Sequence, residues 1–207
     1  MILIGQYDSP FVRRVAVTLQ HYGISYEHRA WSVWAQADEV ARYNPLRRVP
    51  VLVLDSGEVL LESGAILDAL DEMCVPERRL ISGSGPKRRA VLRVCALATG
   101  LADKSVSLLY ERVLRREEER SKVWIARSTQ QIQETLAWLE QLRASGDLWF
   151  GALTHADIAT ACALRFLKEA HPELWVAPLY PALTALSDGC ERMTIFQRVV
   201  QPVHVAV

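Results

Sequence analysis

Apolar residues follow two patterns along this chain. Up to about residue 74, short apolar runs alternate with segments in which apolar residues recur every three or four positions; beyond Pro86 only the second pattern persists. Met1 to Ile4 reads as a short strand, followed by a helix whose buried face is Val12, Val15, Ala16 and Leu19 at i, i+3, i+4 and i+7, stopped by Gly23. A second strand spans Ser25 to Ala30 and a helix about Trp34 to Tyr43. Val51 to Leu54 and Val59 to Leu61 flank Asp55-Ser56-Gly57, which predicts a β-hairpin, and Glu62-Ser63-Gly64-Ala65-Ile66 opens a further helix.

The helical half carries its own signals. Val91, Val94, Cys95, Ala98, Leu101 and Ala102 mark a long helix running to about Glu118; Ile132, Leu136, Leu139 and Leu142 mark another ending near Gly146. Thr154 and Asp157 form a capping box, with Leu153 and Ile158 placed as a hydrophobic staple, ahead of a helix apolar on most sides. Turn-rich stretches at Val75-Pro76-Glu77 and Ser82 to Pro86 divide the chain into residues 1–75, a linker at 76–86, and an all-helical part at 87–207.

Two junctions carry candidate chemistry. Ser9-Pro10 starts the first helix, with Ser as N-cap and Pro at the first helical position. A hydroxyl there faces an electropositive helix end and can accept from the backbone while donating to an anion, although a cap alone is the commoner role of such a serine. Pro50 stands directly before a strand. A cis Val49-Pro50 bond would turn the Val49 backbone groups outward, where they can pair with an extended peptide; from this proline alone, a trans bond that merely opens the strand is favoured.

In order, these segments resemble the cytosolic glutathione transferase family, closest to bacterial members with a Ser-Pro-Phe-Val-Arg motif. The resemblance rests on Ser9-Pro10-Phe11-Val12-Arg13, Asn44-Pro45-Leu46-Arg47-Arg48-Val49-Pro50, Glu62-Ser63-Gly64-Ala65-Ile66 and Leu153-Thr154-His155-Ala156-Asp157-Ile158, and covers about residues 1–200. It implies an α/β thioredoxin-like N-terminal domain (βαβαββα) and an all-α C-terminal helical bundle domain. It also implies glutathione as cosubstrate. Ser9 would hold the thiolate, Val49 before Pro50 the cysteinyl backbone, Glu62 the ammonium and Ser63 the γ-glutamyl carboxylate. Phe11, Trp31, Trp34, Ser107 and Tyr110 would line the pocket for a small apolar electrophile. The family often reads Asn-Pro-x-Gly-Lys-Val-Pro; Arg47 and Arg48 replace that glycine and lysine, which bears on the loop's path and on the anion it holds. The resemblance further implies a homodimer. A glutathione-dependent isomerase resembling maleylacetoacetate isomerase and a non-catalytic regulator resembling stringent starvation protein A are the alternatives.

Composition narrows the partners. Lys plus Arg equals Asp plus Glu at 24 each, so no global field draws in nucleic acid or anionic membrane. No segment approaches the roughly 18 uninterrupted apolar residues of a membrane helix, and the Met-Ile-Leu-Ile-Gly start has no basic region of an export signal. Cys74, Cys95, Cys162 and Cys190 are widely spaced, which predicts reduced core thiols in a cytoplasmic protein. His21, His28, His155, His171 and His204 lack ligand spacing and read as surface or capping residues, so no metal is expected. Lys87-Arg88-Arg89 and Arg115 to Arg120 read as solvated helix faces with i, i+4 pairs.

Overall fold

A computed structural model describes residues 1–143 and 148–203. Its first part is a four-stranded sheet in the order β2-β1-β3-β4, formed by β1 (Ile2–Ile4), β2 (Glu27–Arg29), β3 (Val51–Val53) and β4 (Val59–Leu61). β1 runs parallel to β2 and antiparallel to β3, with Leu3 opposite Leu52. Side chains alternate across such strands, so each face has its own core. Leu3 and Leu52 pack with Val12, Val15 and Leu19 of α1 (Pro10–Tyr22) and with Ile66 and Leu70 of α3 (Ser63–Met73). On the other face Ile4 and Val51 meet Val40 of α2 (Ala37–Ala41).

The second part is built on α4 (Gly85–Val113), α5 (Lys122–Leu142) and α6 (His155–Ala170), followed by α7 (Pro181–Glu191) and α8 (Thr194–Gln197). The expected capping box forms. Asp157, fully buried, accepts from Trp149 N at 2.7 Å, Thr154 N at 2.8 Å and Thr154 Oγ1 at 2.7 Å. Leu153 and Ile158 both enter the core between α1 and α6.

α1 is buried far beyond its apolar stripe. Arg13 is 1% exposed: its guanidinium forks onto Glu191 at 2.6 and 2.7 Å, and its Nε donates to Val199 O at 2.9 Å. Tyr22, at the helix end, donates to Asp71, accepts from Leu80 N at 2.9 Å, and so shares Asp71 with His155 Nε2 at 2.7 Å. One network therefore joins α1 and α3 to α6.

Several expectations are corrected. β2 is shorter than Ser25 to Ala30, and α2 shorter than Trp34 to Tyr43, because Ser32 caps residues 34 and 35 in a turn before the helix starts. α4 stops at Val113 rather than Glu118; Glu117–Glu119 form a separate 3₁₀ turn on which Arg116 pairs with Glu119, so the Arg115–Arg120 cluster is no continuous helix face, although Arg115 does make an i, i+4 pair with Glu111 of α4 at 3.1 Å. Arg88 reaches Asp68 of α3 at 2.7 Å instead of a neighbour in its own helix. α5 ends at Leu142, and the expected stop at Gly146 lies outside the described residues, as does His204. His155 and His171 are buried, since Asp71 and the Ser105 carbonyl supply partners from other elements. Cys95, Cys162 and Cys190 are core thiols, but Cys74 is only half-buried.

Candidate functional site

The start of α1 and the loop before β3 converge because of Gly5. With φ at +126°, its backbone lies so near both that a Cβ would stand 2.6 Å from Val12 Cγ2 and 2.8 Å from Val49 Cβ, so only glycine fits. Sequence reasoning gave Gly5 no role. The loop itself is pinned by Asn44, 1% exposed, whose Nδ2 donates to Arg48 O at 2.9 Å and whose Oδ1 accepts from Leu46 N at 3.0 Å. Arg47 takes φ +52°, the left-handed conformation a glycine would adopt; the substitution leaves that conformation in place and adds a side chain paired with Asp38 at 3.0 Å. The Val49-Pro50 peptide is cis. Among the described residues neither the N–H nor the C=O of Val49 has a backbone partner.

Ser9 is the N-cap of α1. Its Oγ accepts from Val12 N at 3.4 Å, a long bond, while its carbonyl accepts from Arg13 N at 2.9 Å. Ser9 and Val49 share the wall of a cleft of about 1080 Å³. All five residues expected around an apolar guest, Phe11, Trp31, Trp34, Ser107 and Tyr110, line the same cleft. Trp34 and Tyr110 meet edge to face across it at 5.3 Å, and burial, followed by the charge of Asp8, pushes the Tyr110 phenol pKa up. Trp124, Phe166 and Val203 also line the cleft. No sequence signal marks them, because α5, α6 and the C-terminal segment reach the cleft only through tertiary packing.

Pro50, Glu62 and Ser63 do not line this cleft; Glu62 is tied to its Arg48 at 3.7 Å. Glu62 occupies the N-cap of α3 with φ +64° and ψ +124°, a conformation costly for a residue with a Cβ and one that clusters at ligand sites. Ser63, 5% exposed, is the first residue of α3, and its Oγ accepts from Arg14 Nη1 at 3.5 Å. Among the described residues no three His, Cys, Asp or Glu side chains stand together as a metal site, and no helix is long and apolar enough to cross a membrane.

Residues 3–76 match the family model for the glutathione S-transferase N-terminal domain, and residues 122–189 that for the C-terminal domain. The GST-like protein YibF of Escherichia coli is 32% identical over 168 residues, which are 81% of this chain and 82% of that one. The chain belongs to the glutathione S-transferase family. Solved members of the family share its whole course. One from Methylobacterium radiotolerans, in complex with glutathione sulfonate, is 31% identical with a TM-score of 0.93, over 100% of this chain and 97% of that one. Another, from Methylobacillus flagellatus with glutathione bound, is 27% identical with a TM-score of 0.91, over 98% and 99%. The sheet of the N-terminal domain and the helices of the C-terminal domain are thus the two domains of a glutathione S-transferase.

Proposed function

We propose that this glutathione S-transferase family member binds glutathione along the Val49 loop and the start of α3, and stabilises its thiolate against Ser9 for attack on a small apolar electrophile. The observation that carries the reading is one cleft lined by Ser9, Val49 and aromatic residues from both domains. Glutathione is an extended tripeptide. Its cysteinyl N–H and C=O pair with Val49 in the manner of strand addition, its γ-glutamyl carboxylate sits at Ser63, and Glu62 takes the ammonium.

The sulfur then lies beside the first turn of α1. A free thiol has a pKa of about 8.5, so only a few per cent is thiolate at neutral pH. A hydrogen bond to a charged group contributes about 1.5–3 kcal/mol and a helix N-terminus about 0.3–1 kcal/mol, together enough to lower that pKa by roughly one to three units. Ser9 needs no base: the thiol proton is released to water, and the Ser9 hydroxyl donates a hydrogen bond to the sulfur anion and stays a neutral alcohol, while the sulfur lone pair forms the S–C bond and the electrophile's leaving group departs with its electron pair. In an addition, the electron pair moves into the acceptor and is protonated from water. Phe11, Trp31, Trp34, Ser107 and Tyr110 hold the electrophile.

All four cysteines are unpaired, which fits a reducing, cytoplasmic setting. We infer a two-fold homodimer from family membership, to be checked by sedimentation equilibrium. The central test is calorimetric titration with glutathione. Saturable heat at one glutathione per chain is expected. Absence of heat refutes the reading and favours a regulator without catalysis, and activity on maleylacetoacetate without conjugation of halogenated aromatics assigns the isomerase alternative instead.

A further inference from the structure

Two adjacent arginines of α1 are buried, and they differ in one respect. Arg13 has its guanidinium forked onto Glu191. Arg14, 6% exposed, has no carboxylate partner among the described residues: its Nη1 donates to Ser63 Oγ at 3.5 Å and its Nε has no partner. Removing a cation from water without an anion beside it is strongly unfavourable, and here burial pushes the Arg14 pKa down. A fold that needed only an apolar contact here would carry methionine or leucine. The guanidinium stands directly behind the hydroxyl that opens α3, an 11-residue helix whose N-terminus already favours an anion, next to the strained Glu62.

We propose that Arg14 is a positioning residue whose missing counter-ion is the ligand itself: it orients the Ser63 hydroxyl and supplies the buried positive charge that selects peptides bearing a γ-glutamyl α-carboxylate. This rests on the reading of the site as a glutathione site. Ser63 relays the interaction, accepting from Arg14 and donating to the carboxylate. Binding then neutralises a charge the empty protein holds at a cost, so stability of the free protein and affinity for the ligand pull in opposite directions at this residue.

The test compares glutathione with γ-aminobutyryl-cysteinyl-glycine, which lacks only that carboxylate, by calorimetry on the native protein and on Arg14→Met. The native protein should prefer glutathione. In Arg14→Met the glutathione Kd should weaken roughly tenfold to a hundredfold, the loss of one charge-assisted interaction, while the Kd for the carboxylate-free peptide stays unchanged and the melting temperature of the ligand-free protein rises. Equal weakening of both peptides, or a fall in the ligand-free melting temperature, marks a structural role and overturns the inference. In case Arg14→Met does not fold, the Nε–H resonance of Arg14 in the native protein provides a second measurement. It should shift on adding glutathione and stay in place with the carboxylate-free peptide, and identical responses to the two overturn the inference. A native protein that binds both peptides equally sinks the role of Arg14 together with the carboxylate contact at Ser63 but leaves the contacts at Ser9 and Val49 standing; one that binds neither sinks the glutathione site as well.

Discussion

Replacing Ser9 by alanine separates the observed cap from the proposed thiolate donor, both of which use one hydroxyl. As a cap, Ser9 contributes little: its Oγ is 3.4 Å from Val12 N, while Pro10 at the first helical position and the Arg13 N to Ser9 O bond of 2.9 Å remain in the mutant. Loss of a cap costs about 0.5–2 kcal/mol, and so long a bond places Ser9→Ala near the lower end. As a donor to sulfur, the same hydroxyl is worth about 1.5–3 kcal/mol, which at 1.36 kcal/mol per unit is roughly one to two pKa units. The assay is the ultraviolet absorbance of the glutathione thiolate in the saturated complex, followed against pH for native protein and mutant. The native complex should titrate roughly one to two units below the mutant, with urea midpoints nearly equal. A mutant complex that titrates at the native pH leaves Ser9 as a cap and removes the mechanism.

Three further outcomes follow from the same structure. Asp157→Ala strands the half-buried donors of Trp149 and Thr154 and should cost about 3–5 kcal/mol in urea unfolding, whereas a loss under about 1 kcal/mol means that water replaces the carboxylate. Arg47→Gly removes a left-handed non-glycine residue costing about 1–2 kcal/mol and an exposed ion pair of little value, so stability should be kept or rise by up to about 1 kcal/mol; a clear loss would assign the Asp38 contact real weight. His171 is held neutral, mainly by burial and also by Arg112 beside its Nδ1, so its folded pKa lies below the unfolded value of about 6.5. The unfolded chain therefore binds the proton first on acidification. The His171 contribution is complete above pH of about 6.5 and is lost as pH falls through the folded pKa; thermal midpoints of His171→Gln against native protein should show a shallower acid slope in the mutant.

How much of this was legible in the sequence depends on where each residue's partner lies in the chain. The α1 cap, the hairpin and the α6 capping box are written in neighbouring residues, so Ser9-Pro10, Asp55-Ser56-Gly57 and Thr154-Asp157 disclosed them. The end of α4 was not, because it is set from downstream: Glu111 accepts from Ser121 N at 2.7 Å and Arg120 donates to the Arg112 carbonyl at 2.5 Å, which turns the chain before Glu118. His155 and His171 looked like surface residues for the same reason, their partners being 84 and 66 positions away.

The motif that identified α1 also concealed its chemistry. Helical spacing assigns Val12, Val15, Ala16 and Leu19 to the core and leaves Arg13, Arg14 and Thr18 for solvent, yet all three are buried. A helix enclosed by a sheet on one side and by α6, α7 and α8 on the other has no solvent face, so each polar residue on it must find a partner or retain an unmet demand. Thr18 bonds back to the Arg14 carbonyl at 3.0 Å and Arg13 is met by Glu191. Arg14 alone of the three keeps an unpartnered donor, its Nε, and it does so next to the hydroxyl that opens α3. The same enclosure that hid its burial from the sequence therefore directs its charge toward the proposed ligand site.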